Sequence, residues 1–142
     1  MALFSTRKTI RFSDCDPAGI VYYPNYFVMA QTVVEDWFAQ SMGMSFAELL
    51  NVRKIALPTV HLTVDFNRPS RFGEVLTWSL QVEAIGRSSI RLKLLATADN
   101  IERLSIQQVV VTVDQAGKSV GIPPELRVKA ANYQSATSAR KQ

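Results

Sequence analysis

Apolar positions along the chain repeat with two periods, and each change of period marks a change of element. Near residues 6–13, Ile10 and Phe12 fall on one face and Thr9 and Arg11 on the other, which predicts a first strand. A turn-rich stretch at 13–19 interrupts it. From Asn25 to Met42 there is no Gly or Pro, and Phe27, Ala30, Val34, Trp37, Phe38 and Ser41 recur at helical spacing. Pro24 suits the first helical position and Gly43 the position just past the end. Nine of the thirteen residues from Tyr26 to Phe38 are Tyr, Phe, Val, Met, Ala or Trp, so this helix is apolar on more than one side. Such a helix belongs in an interior rather than on a surface.

After a short helix predicted around 45–50, the period falls to two. Val60, Leu62, Val64 and Phe66 alternate with His61, Thr63, Asp65 and Asn67, and Arg68-Pro69 ends that strand or places it at a sheet edge. Leu76, Trp78, Leu80, Val82 and Ala84 form a second alternation, and Ile90, Leu92, Leu94 and Ala96 a third, joined by Gly86-Arg87-Ser88-Ser89 as a tight hairpin or bulge. A last strand near 104–114 shifts its apolar register at Gln107-Gln108, which predicts a bulge or burial on both faces. The pattern sums to one strand, one long buried helix and four antiparallel strands. The economical packing is an α+β fold in which an antiparallel sheet wraps a central helix, because the helix needs apolar partners on several sides and each strand offers one apolar face. The outer sheet face and the sheet edges then favour self-association.

The 142 residues, 47% of them apolar, form a single domain over 1–142 whose polar tail from about Ser135 frays. The lone Cys15 permits no internal disulfide, and the N-terminus carries no apolar signal core, so a reducing cytoplasm is the expected compartment. No run is apolar enough to span a membrane. The net charge of +4 is dispersed, with nothing beyond pairs such as Arg7-Lys8 and Arg53-Lys54, which argues against nucleic acid as a partner and permits an anionic small molecule.

Candidate chemistry concentrates in the run from Ser13 to Tyr26, which sets Asp14, Cys15 and Asp16 immediately before the buried helix. Pro17 keeps Asp16 out of helical dihedrals, and Gly19 allows the chain to turn sharply. The backbone N–H groups of Tyr23, Asn25 and Tyr26 lie where the helix begins, and free donors there stabilise a developing oxyanion. A carboxylate facing such donors supplies a nucleophile or general base beside a polarised carbonyl, the two parts that acyl transfer needs. The same Asp-x-Asp-Pro-x-Gly string is also ordinary turn chemistry, in which side chains satisfy local N–H groups. Cys15 reads as a small hydrophobe and His61 as a residue of a polar strand face; a Cys15–His61 thiol pair has no sequence signature. One His and one Cys make a poor zinc set, so no metal is expected.

The fifteen residues Phe12-Ser13-Asp14-Cys15-Asp16-Pro17-Ala18-Gly19-Ile20-Val21-Tyr22-Tyr23-Pro24-Asn25-Tyr26 closely resemble the signature of the 4-hydroxybenzoyl-CoA thioesterase family of hotdog-fold enzymes. A weaker likeness continues through Val64-Asp65-Phe66-Asn67-Arg68-Pro69, Gly73-Glu74 and Gly86-Arg87-Ser88-Ser89. The resemblance implies a hotdog fold and hydrolysis of an acyl-CoA, aromatic or short-chain, without metal or separate cofactor, CoA being part of the substrate. It implies an active site at a subunit interface of a homodimer that often pairs into a homotetramer. Asp16 matches the family's catalytic carboxylate, and Tyr23 the residue whose backbone N–H polarises the thioester carbonyl, while Asp14 is structural. Tyr22, Pro24 and Asn25 fall on the substrate side of the motif, and Arg87, Ser88 and Ser89 where family members contact CoA phosphates. Tyr22 departs from the pattern: aromatic-specific members resemble one another in carrying Trp there, and short-acyl members often carry His. The alternatives are a non-catalytic hotdog module that binds acyl-CoA or acyl carrier protein, and a hotdog dehydratase, for which His61 is the one histidine available.

Overall fold

The computed structural model describes residues 3–134. The chain order is β1 (Phe4–Thr9), a 3-10 turn at Phe12–Asp14, α1 (Pro24–Ser41), α2 (Phe46–Asn51), β2 (Thr59–Phe66), β3 (Val75–Ile85), β4 (Ser89–Ala98), β5 (Ile101–Val111) and α3 (Pro124–Ala131). The five strands form one sheet in the order β1-β3-β4-β5-β2, and every neighbouring pair is antiparallel. Leu76, Trp78, Leu80 and Val82 of β3, Ile90, Leu92, Leu94 and Ala96 of β4, and Leu104 and Ile106 of β5 turn inward to one core. Tyr26, Met29, Ala30, Val33, Val34, Trp37 and Phe38 of α1 enter the same core, so the sheet encloses the helix as its multi-sided apolar pattern requires. This is the hotdog architecture.

Pro24 is the first residue of α1, and Gly43 follows its C-terminal cap with φ of +71°, a left-handed conformation that costs glycine nothing. Ser45 caps α2 by accepting from Glu48 N at 3.1 Å.

Four elements differ from the pattern-based expectation. The first strand stops at Thr9, because Asp14 Oδ2 accepts from Arg11 N at 2.8 Å and draws the chain into the 3-10 turn; Ile10 is buried while Phe12 stands 76% exposed. The register of β5 runs unbroken through Gln107-Gln108 against both neighbours, with Gln108 facing inward. Its irregularity lies at Arg103, an extra residue between the Ala96–Leu104 and Thr97–Glu102 pairs. β2 lies at the sheet edge, as Arg68-Pro69 suggested, but Val60, Leu62 and Phe66 are exposed rather than covered by the helix. Finally, α3 went unpredicted. Leu126 and Ala130 are buried from it, but exposed Val128 spreads its apolar residues around the helix and erases any stripe. The frayed tail expected from Ser135 lies outside the described residues.

Candidate active site

Residues 14–26 fold back on themselves at the entrance to α1. Cys15 and Val21 form an antiparallel bridge, Asp16 N donates to Ile20 O at 3.0 Å, and Gly19 N donates to Asp16 O at 2.9 Å. Gly19 sits at φ +78°, the redirection anticipated from sequence. Asp14 anchors the turn: its carbonyl accepts from Tyr22 N and from Asn25 Nδ2, each at 2.9 Å, while its carboxylate takes Arg11 N. Asn25 therefore braces the turn through its amide nitrogen.

Asp16 is half-buried. Its Oδ1 accepts from Ala18 N at 2.9 Å, and Oδ2 has no hydrogen-bond partner among the described residues. The turn thus uses one oxygen of the carboxylate and leaves the other without a partner among the described residues. The donor set is narrower than the three N–H groups expected from sequence. Asn25 N donates to Tyr22 O at 2.8 Å and Tyr26 N to Tyr23 O at 3.1 Å, whereas Tyr23 N–H makes no hydrogen bond among the described residues. It is a backbone donor at the positive end of α1 with no acceptor of its own among the described residues.

Aromatic rings surround this entrance. Tyr22 and Tyr23 are exposed and meet edge to face at 5.6 Å, and Phe66 at the end of β2 lies 6.1–6.3 Å from Tyr23, Tyr26 and Phe27. Phe27 continues into a cavity of about 300 Å³ between α1, β2 and β5, lined also by Ala30, Gln31, Thr59, Leu62, Ile106 and Gln108. The lining is mainly apolar, with Gln108 Nε2 donating to Thr59 Oγ1 at 2.8 Å. Sequence reading placed Phe27 on the helix and Phe66 in the strand alternation but assigned neither to the site, since apolar residues at those spacings read as core.

Arg87, Ser88 and Ser89 do not join this group within one chain. They turn the chain at the far end of β3, where Arg87 O accepts from Ile122 N at 2.9 Å and Ser88 Oγ bonds Ser119 Oγ at 2.8 Å. The acid turn lies beside Arg71 and Phe72, before β3 begins. An eleven-residue strand separates them, and at roughly 3.3 Å per residue that is over about 30 Å.

Cys15 and His61 are also apart. The thiol donates to Arg11 O at 3.5 Å, and desolvation together with the Asp14 and Asp16 charges pushes its pKa up, away from thiolate. His61 pairs with Val109 across the sheet and bonds Thr63 Oγ1 at 3.2 Å. Cys15→Ala and His61→Ala are therefore expected to keep turnover within about threefold of wild type in a thiol-release assay, since neither is placed as nucleophile or base. Among the described residues no three or more His, Cys, Asp or Glu side chains gather as metal ligands would, and no helix is long and apolar enough to cross a membrane.

A helix enclosed by an antiparallel sheet, with an acid-bearing turn at its N-terminus, defines the hotdog-fold class. The chain belongs to the Thioesterase-like superfamily, whose profile matches residues 10–130. It is 32% identical over 93 residues to a 1,4-dihydroxy-2-naphthoyl-CoA hydrolase of Synechococcus elongatus, an alignment covering 65% of this chain and 68% of the relative. Its fold matches a 1,4-dihydroxy-2-naphthoyl-CoA thioesterase from Synechocystis with a TM-score of 0.85 and 21% identity, over 92% of this chain and 97% of the other. The gentisyl-coenzyme A thioesterase BH1999 matches with a TM-score of 0.81 and 25% identity, over 91% of this chain and all of the other (100%).

Proposed function

We propose that this protein hydrolyses the thioester of an aromatic acyl-CoA to the free acid and CoA. The observation that carries the reading is the pairing, at one helix entrance, of an Asp16 carboxylate oxygen and a Tyr23 N–H that both lack a hydrogen-bond partner among the described residues. The carboxylate delivers the attack on the carbonyl carbon, by itself or through a water it deprotonates. Charge then builds on the carbonyl oxygen, which Tyr23 N–H and the α1 dipole stabilise. Collapse of the tetrahedral species breaks the C–S bond and expels CoA thiolate, a good leaving group; on the direct route water then cleaves the Asp16–acyl anhydride, so either route consumes one water and releases the free acid. CoA enters as part of the substrate and no separate cofactor is required.

The acyl preference rests on the cavity beyond Phe27. Its volume of about 300 Å³, apolar walls and Gln31, Thr59 and Gln108 side chains suit a flat ring carrying a hydroxyl. The relatives named for dihydroxynaphthoyl-CoA and gentisyl-CoA support the same class. An acyl-CoA substrate and a single free cysteine fit a cytoplasmic enzyme.

The complete site takes two copies of the chain. The β2 edge leaves Val60, Leu62 and Phe66 exposed next to the cavity, a surface that a second copy covers. That copy supplies Arg87, Ser88 and Ser89 to the CoA phosphates, which the acid turn's own chain holds too far away. Co-refolding Asp16→Asn with Arg87→Ala tests this. In a mixed dimer one site carries both lesions and the other neither, so random pairing is expected to restore about one quarter of wild-type turnover. Turnover no higher than the sum of the two separate variants would place both residues in the same chain's site.

A further inference from the structure

The acid turn is held to the body of the protein by residues 67–74, the connection between β2 and β3. Val21 N donates to Ser70 O at 2.9 Å, Phe72 N donates to Gly19 O at 3.0 Å, and Ile20 pairs with Arg71 as an antiparallel bridge. These contacts fall between Asp16 and Tyr23, so the connection fixes the segment that joins the carboxylate to the oxyanion donor.

Arg103 holds both ends of that connection. Its Nη1 and Nη2 donate to Glu74 Oε1 and Oε2, each at 2.9 Å, and Nη1 also donates to Pro69 O at 3.2 Å. Its carbonyl accepts from Asn67 N at 2.9 Å and Arg68 N at 3.2 Å. Glu74 Oε1 also accepts from Arg71 N at 2.6 Å, so the ion pair reaches directly into the loop that grips the turn. Arg103 is 93% buried, being only 7% exposed, although it lies on a strand whose inward positions are otherwise Leu104, Ile106, Gln108 and Val110. The bulge at Arg103 explains this: the extra residue leaves the normal alternation, and its side chain is aimed beneath the loop. The Arg103 hydrogen bonds hold the Glu74 carboxyl below the usual carboxylate range and so keep the pair charged.

We propose that the Arg103–Glu74 pair is a positioning device for the reaction, setting where the Asp16 carboxylate stands relative to Tyr23 N–H. Neither residue touches the reacting atoms; both act through Arg71, Ser70 and Phe72 on the turn. The inference rests on the thioesterase reading, and the test separates the two.

Glu74→Gln removes one charge while keeping the shape, and Arg103→Lys keeps the charge but loses the two-pronged contact. Each is expected to lower kcat by about tenfold to a hundredfold with KM within about twofold, because a shift of about 1 Å in a reacting group has that effect. Leu92→Ala, in the core of β4, is expected to lower the melting temperature while keeping kcat within about threefold of wild type, and a loss of kcat as large as that of Glu74→Gln would overturn the inference. Hydrogen exchange on wild type supplies a readout independent of any variant's folding: the amides of Val21 and Phe72 should be strongly protected, and should exchange faster in whichever variant folds. Turnover by wild type with kcat retained in a folded Glu74→Gln or Arg103→Lys would overturn the inference, as would Val21 and Phe72 amides exchanging near the unprotected rate in wild type. A wild type that hydrolyses no thioester would instead sink the functional reading, leaving the exchange of those two amides to decide the clamp.

Discussion

Asp16→Asn is expected to lower kcat by about 10²–10⁴-fold, the range associated with losing a positioned acid–base group, while leaving the fold and melting temperature essentially unchanged. The two halves of that expectation come from the two oxygens of the carboxylate. Oδ1 accepts from Ala18 N, and an asparagine presents the same carbonyl oxygen to that N–H, so the turn closes as before. Oδ2, the oxygen without a partner among the described residues, becomes an amide nitrogen that can neither attack a carbonyl nor take a proton from water. Steady-state CoA release with circular dichroism on the same samples checks both halves. Loss of the native spectrum would contradict the structural half, and retention of turnover by the folded variant would remove Asp16 from the chemistry.

The largest effect on stability is expected at Trp37. It lies fully inside the core, meeting Phe38 edge to face at 5.3 Å and Tyr133 at 5.6 Å, so it ties α1 to the segment after α3. Trp37→Ala removes the whole ring from a site walled by other rings, and a loss of about 3–5 kcal/mol follows from transfer and cavity costs together. Set against the roughly 5–15 kcal/mol that stabilises an ordinary domain, that is a large part of the total. Equilibrium urea unfolding reads it as a lower midpoint at a similar slope, and Trp37→Phe should fall between the two proteins. A midpoint unchanged in Trp37→Ala would mean that the helix is not the centre of the core.

How much of this was legible in the sequence depends on the range of the interaction involved. The limits of α1 follow from Pro24 and Gly43, which act through their own backbone dihedrals, and β3 and β4 follow from alternation that their neighbours satisfy on one face. The turn at Asp16 and the place of Tyr23 just before α1 were visible because a local motif carries them. The narrowing of the donor set to Tyr23 was not: it depends on how the first turn of α1 closes on Tyr22 O and Tyr23 O, a conformational detail within a pattern that permits several. The break in β5 was sensed but misplaced, since paired glutamines look like a register change while Gln108 in fact faces inward and bonds Thr59. The actual break, at Arg103, accompanies a partner 29 residues away in sequence, Glu74, which the local pattern of β5 does not reveal. Likewise the bare apolar face of β2 and the separation of Arg87 from Asp16 arise from strand order, which pairs β2 with β5 and sends β3 the length of the sheet.

The central claim, thioester hydrolysis of an aromatic acyl-CoA at the entrance to α1, is tested most directly by free-thiol release from a panel. The panel pairs hydroxylated aromatic acyl-CoAs, such as 4-hydroxybenzoyl-CoA and 1,4-dihydroxy-2-naphthoyl-CoA, with short and long aliphatic ones, and runs wild type beside Asp16→Asn. The expected result is the highest kcat/KM on a hydroxylated aromatic thioester, with that turnover lost in the folded variant. Absence of thiol release from every acyl-CoA, or equal release by wild type and Asp16→Asn, would contradict the account.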